Sequence, residues 1–162
     1  MIEKLNQGLI DIGLLLEPVD LDGFDYIRLP FKEKWGIVIN ADHPLSKKDV
    51  LHPQDLIDIP LFFNMKRVLI QDEIRHWAQD YYKDYHFIGS FNLSTNMTSF
   101  IEKNLGAALC VEGTSANQYY PQIKFIPIEP PIYSNTVIAW KKNHPQTAIM
   151  KKIIELFNEM NK

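Results

Sequence analysis

With 162 residues, 46% of them hydrophobic, the chain is long enough for one ordinary domain or two small lobes around a real core, and disorder is excluded. Lys+Arg 17 against Asp+Glu 20 leaves a formal charge of −3, and no basic run exceeds a pair, which argues against nucleic-acid binding by this chain alone. The single Cys110 excludes an internal disulfide and suits a reducing cytosol, and no apolar run approaches the ~18 residues of a membrane span.

Ile2, Leu5 and Leu9 have helical spacing, with Gly8 as a stop, and the polar Met1–Gln7 start does not suit a signal peptide. Ile10–Leu16 is almost wholly apolar, as in a strand covered on both faces, and Glu17-Pro18 ends it. Tyr26–Phe31 predicts a weak strand ending at a proline. Gly36–Asn40 predicts a buried one, closed by the turn Asp42-His43-Pro44-Leu45. Pro53–Ile57 reads as a short helix with proline in its first turn, and Leu61–Phe63 as a short strand. Ile70, Ile74, Trp77, Ala78 and Tyr81 mark an amphipathic helix, followed by a strand over His86–Asn92. Thr95–Asn104 predicts a second helix with apolar Met97, Phe100 and Ile101, a cap at Ser94 or Thr95, and a stop at Gly106. Ala107–Val111, Ile123–Pro127 and Thr136–Trp140 predict further strands. Ala148–Met160 predicts a final helix whose apolar face carries Ile149, Ile153, Leu156, Phe157 and Met160.

Strands alternating with helices predict an α/β class with mostly parallel sheets. The crossover at Pro127, Pro130 and Pro131 suggests two lobes, residues 1–57 with 132–162 and residues 58–131, with a ligand cleft between them. The five histidines show no metal-ligand spacing, and GxGxxG, GxxxxGK[ST] and GxSxG are absent, so neither a metal, a cofactor nor an enzymatic activity is expected. His43 reads as a turn-fixing hydrogen bonder, Trp35, Trp77 and Trp140 as packing, Cys110 as a packed thiol, and Lys141-Lys142 as a solvated strand end.

Several segments, taken in order, resemble one family. Leu5–Leu14 resembles the L-x-x-G-x-[LI]-D-[LI]-[GA] signature of LysR-type transcriptional regulators, and Trp35–Ser46 resembles their next strand and HPL[AS] turn. Val50–Leu61 resembles the following DL-x-x-x-PL step, Ile101–Leu109 the GLGIALL segment, and Ile138-Ala139-Trp140 with the last helix the domain's C-terminal end. Asn104 stands where the family commonly has Gly, and Ala107 where it often has Ile. The resemblance implies an effector-binding domain with a two-lobed fold like type 2 periplasmic binding proteins.

The family's winged helix-turn-helix and the first strand, helix and second strand of its effector domain have no counterpart before Met1. The first lobe is therefore expected to be incomplete, with Ile10–Leu16 as an open edge, and a homodimer is expected to cover that edge. DNA would be contacted only through a domain outside this chain. A small-molecule effector, often a carboxylate or other anion in this family, would sit in the inter-lobe cleft. Candidate contacts are Leu16 and Glu17 at a first-lobe strand end, Asn64 and Lys66 in the loop Asn64-Met65-Lys66-Arg67, and Ser94, Thr95, Asn96 and Thr98 at a helix start. The resemblance implies a cytoplasmic regulator. The alternative is a free-standing cytoplasmic solute-binding protein of the same fold.

Overall fold

The computed structural model describes residues 1–63, 68–91, 94–114 and 120–160. The chain divides into two compact units, Met1–Lys32 with Ser134–Lys162, and Glu33–Tyr133.

The first unit opens with helix α1 (Ile2–Asn6), which ends through Gly8 at a left-handed φ of 69°. Strand β1 (Gly13–Leu16) pairs antiparallel with β7 (Tyr133–Lys141), which lies between β1 and the first half of β2 (Phe24–Asn40). The two-residue period of β7 builds two small cores. Val137 and Ala139 face Leu5, Leu15 and Phe24, while Ile138 and Trp140 face Leu29 and Met150 of α4 (Ala148–Met160). The Thr147 hydroxyl caps α4 by accepting from the Met150 amide at 3.2 Å. The helix seats itself on Met150, Ile154 and Phe157; Ile149, Leu156 and Met160 of the expected apolar face are exposed.

The second unit is organised around the other half of β2. Gly36–Val38 pair antiparallel with β5 (Ala107–Val111) on one side and with β6 (Ile123–Pro127) on the other. Beyond β5 lie β3 (Pro60–Phe62) and then β4 (His86–Gly89), each joined in parallel. The helix α2 (Val68–Ala78) connects β3 to β4, and α3 (Thr98–Glu102) precedes β5. α2 turns Ile70, Ile74, Trp77 and Ala78 inward, at the i, i+4, i+7, i+8 spacing of one helical face. Every β5 residue is buried, and Ile37, Leu61 and Leu109 are 0–1% exposed, each burial stabilising the unit by roughly 1.5–3 kcal/mol.

Four expectations change. The sheets are mixed rather than mostly parallel: parallel pairs form around β3, where crossover helices return the chain, whereas β2 meets its partners antiparallel. The strands expected over Tyr26–Phe31 and Gly36–Asn40 are one strand, with the exposed Pro30 inside it. Residues 33–57, read from sequence as first-lobe, lie in the second unit because Gly36–Asn40 takes its partners there. β1 also departs from a strand covered on both faces: Leu15 is buried while Leu14 is 57% exposed. Among the described residues no helix is long and apolar enough to cross a membrane.

Candidate functional site

The segment that carries four of the candidate residues begins as a 3-10 turn, Ser94–Met97, and continues into α3. Met97 and Ile101, four apart, lock one face of it into a cluster with Val38, Phe62, Ala108, Cys110, Ile123 and Phe125. Phe100 sits 5.5 Å from Phe62, ring centre to ring centre. Thr98 is buried at 6% exposure and Asn96 is exposed, so the seated helix start presents the Asn96 side chain and turns Thr98 inward.

The far end of α3 is held just as firmly. Asn104 takes a left-handed φ of 54°, and its amide donates to the Ile101 carbonyl at 2.9 Å. Gly106, expected as the stop, instead permits close approach. A Cβ there would lie 2.7 Å from the Pro60 carbonyl oxygen.

Asn40, the last residue of β2, completes the arrangement. Its Nδ2 donates to the carbonyls of Ile101 at 3.2 Å and Glu102 at 2.7 Å, while its Oδ1 accepts from the Asp42 amide at 2.8 Å. One buried side chain thus satisfies two helix-end carbonyls and starts the turn after β2. Sequence reading took Asn40 only as a strand end. The signal was an amide side chain terminating an otherwise apolar strand, two residues before Asp42.

His43 occupies that turn. Its Nδ1 accepts from the Leu45 amide at 3.2 Å, and burial holds its pKa below the ordinary imidazole value. It fixes the turn, as its sequence context suggested. Ser46 Oγ donates to the Ala41 carbonyl at 2.5 Å, and the Lys124 ammonium donates to the Ser46 carbonyl, closing the loop over β6.

Leu16 and Glu17 lie in the first unit, Leu16 as the last residue of β1 and Glu17 directly after it, both half-buried. Glu17 is clasped by Arg28 through two parallel bonds, Nε to Oε2 and Nη2 to Oε1, both 2.9 Å. The Arg28 hydrogen bond is the main reason its carboxyl titrates below the usual carboxylate range; burial opposes this and the Asn135 side chain assists. The Arg28 guanidinium also stands 5.4 Å over the Tyr26 ring. Glu17 is therefore half of an ion pair rather than a bare negative charge. Asn64 and Lys66 lie outside the described residues, as do Met65 and Arg67. Ser94, Thr95, Asn96 and Thr98 are brought together on one segment of the second unit. Leu16 and Glu17 are consecutive in the first.

Trp35, Trp77, Trp140 and Cys110 are buried. Lys141 departs from the expected solvated strand end: its ammonium donates to the Asn6 carbonyl at 2.9 Å, binding the C-terminal end of α1. Among the described residues no group of three or more His, Cys, Asp or Glu is placed to hold a metal ion.

Residues 1–162 match the family model described as the LysR substrate binding domain. The uncharacterized HTH-type transcriptional regulator YvbU of Bacillus subtilis is 25% identical over 162 residues. This chain is 98% covered and spans about half, 53%, of that relative. Among solved structures, the effector-binding domain of QuiR in complex with shikimate matches with a TM-score of 0.81 and 19% identity, covering 99% of this chain and 76% of that one. The Synechocystis PCC6803 CcmR regulatory domain in complex with 2-PG matches with a TM-score of 0.81 and 16% identity, covering 99% and 78%.

Proposed function

Because the chain belongs to the LysR substrate-binding domain family, we propose that it senses a small molecule through the polar segment Ser94, Thr95, Asn96 and Thr98. The observation that carries this reading is the way the segment is held. Met97 and Ile101 anchor it to the core, and Asn40 fixes the end of its helix, so the backbone of the segment is held before a ligand arrives. Short hydroxyl and amide side chains offer both donors and acceptors to a carboxylate or other polar effector. Leu16 and Glu17 are the candidate contacts of the first unit, where Arg28 pairs with Glu17 so that its carboxylate is not a bare negative charge. Asn64 and Lys66 would add an amide and a cation.

The protein acts as the regulatory part of a cytoplasmic LysR-type transcription regulator, without enzymatic activity of its own. Effector binding shifts the population between two arrangements of the domain, and DNA is contacted by a separate helix-turn-helix segment. Dimerisation uses the edge of β1, which ends its sheet among the described residues and carries the exposed Leu14. Size-exclusion chromatography with light scattering is expected to show a dimer that Leu14→Lys dissociates; a monomer at high concentration refutes that part.

The test of sensing is calorimetric titration with shikimate, 2-PG and a panel of small carboxylates, comparing parent with Asn96→Ala and Thr98→Val. A ligand that saturates the parent and loses about tenfold in affinity, ~1.4 kcal/mol, in either variant supports the reading. Saturable binding untouched by both substitutions refutes the assignment of the segment.

A further inference from the structure

A concave site lies wholly within the second unit. It has a volume of about 780 Å³, within the range of small-molecule pockets, and lies between the C-terminal part of α2 and the segment at Pro130–Tyr133. Its wall carries two adjacent carboxylates, Asp72 and Glu73, together with His76 and the rings of Trp77, Tyr81 and Tyr133. Tyr81 and Tyr133 are 41% and 49% exposed, so their ring faces are open to a ligand.

The electrostatics of this wall are one-sided. Among the described residues Asp72 meets only the Arg75 guanidinium, at 3.6 Å and with both side chains 60% exposed, a pair weak enough to be displaced. Arg75 is also engaged over the Tyr82 ring at 5.2 Å. Glu73 has no hydrogen-bond or ion-pair partner among the described residues, and partial desolvation pushes its carboxyl above the usual carboxylate range. The rim adds Pro53, Pro130 and Pro131, which have no N–H to offer an anion. Carboxylates flanked by open aromatic faces are the chemistry that recognises ammonium groups, through charge pairing and cation–π attraction.

We propose that this pocket binds a small organic cation, its ammonium group against Asp72 and Glu73 and its apolar substituents against Trp77, Tyr81 and Tyr133. The site is separate from the Ser94–Thr98 segment and opposite to it in charge preference, so the domain would read two ligands of different chemistry.

The test uses choline and its uncharged isostere 3,3-dimethyl-1-butanol, which differ in charge and little in shape. Titrations of the full chain are followed by the tryptophan indole N–H resonances, with Trp77 assigned by Trp77→Phe. Choline is expected to saturate and to move the Trp77 resonance, to bind at least about tenfold tighter than the isostere, and to weaken as salt is added. Glu73→Gln and Asp72→Asn alter exposed side chains and leave the fold intact. Each is expected to weaken choline several-fold without lowering the thermal midpoint. Equal binding of the neutral isostere, affinity unchanged in both variants, or no binding of choline at ~10 mM, an affinity worth less than about 3 kcal/mol, would each overturn the proposal.

Discussion

Replacing Asn40 tests whether the candidate effector segment is held by the strand beneath it. Its side chain makes three hydrogen bonds, two to carbonyls at the end of α3 and one from the Asp42 amide, at 6% exposure. A neutral hydrogen bond contributes a net ~0.5–1.5 kcal/mol, and a buried group stranded without a partner costs about 1–3, so Asn40→Ala is expected to lose roughly 2–4 kcal/mol. Asn40→Asp keeps the acceptor for Asp42 but turns an oxygen toward two carbonyl oxygens. At neutral pH it should be worse than alanine. Its buried carboxyl would titrate above the usual range, so the folded state holds a proton that the unfolded state has released. The added penalty therefore vanishes at low pH and grows as pH rises through the shifted titration. Urea denaturation across this range, with hydrogen exchange of the Ile101–Leu105 amides, measures both effects. A loss below ~0.5 kcal/mol for Asn40→Ala, or an Asp variant no worse than Ala at neutral pH, refutes the reasoning.

Gly36→Ala should cost about 1–3 kcal/mol or prevent folding, because the new Cβ would lie 2.5 Å from the Ile126 carbonyl oxygen and against the Phe125 ring, while pairing on both sides bars retreat; a wild-type thermal midpoint contradicts this. Arg28→Met should cost no more than about 1 kcal/mol at neutral pH, since the guanidinium is mostly exposed. The Glu17 carboxyl is depressed, so its contribution is present above the carboxylate range and lost as pH falls through it. The variant's acid-unfolding curve should be flatter there than the parent's. Burial lowers the His43 pKa, so the unfolded state binds protons first and stability declines as pH drops through the imidazole range; His43→Ala should remove that slope and about 1 kcal/mol at neutral pH.

Much of the fold was readable because periodicity reports burial. Ile70, Ile74 and Trp77 marked α2, and the unbroken apolar run Ala107–Val111 marked a strand buried throughout. Pairing direction was not readable, because an apolar run says that a strand is covered but not by which neighbour. That the compact units divide at Lys32 and Glu33 was not readable for the same reason. Gly36–Asn40 was read as a strand separate from Tyr26–Phe31 and belongs to the same one, yet its partner residues in β5 and β6 come about 70 to 90 residues later. Pro30 suggested a break that an exposed strand position tolerates. In the site, the polar run Ser94–Thr98 was visible as a cluster of small donors. What holds it, the long-range bonds of Asn40, shows locally only as an amide at the end of an apolar strand, with nothing to name the helix end it reaches. The charge of Glu17 looked unfavourable for an anion until Arg28, eleven residues on, was found clasping it.

The most direct test of the central claim is backbone amide chemical-shift mapping of the ¹⁵N-labelled chain titrated with shikimate, 2-PG and the carboxylate panel. The account predicts that a saturating ligand moves the amides of Ser94, Thr95, Asn96 and Thr98 most strongly, with smaller shifts carried to Asn40 and Glu102 through their shared hydrogen bonds. A ligand that saturates while leaving those four amides in place, or a panel in which nothing binds, contradicts it.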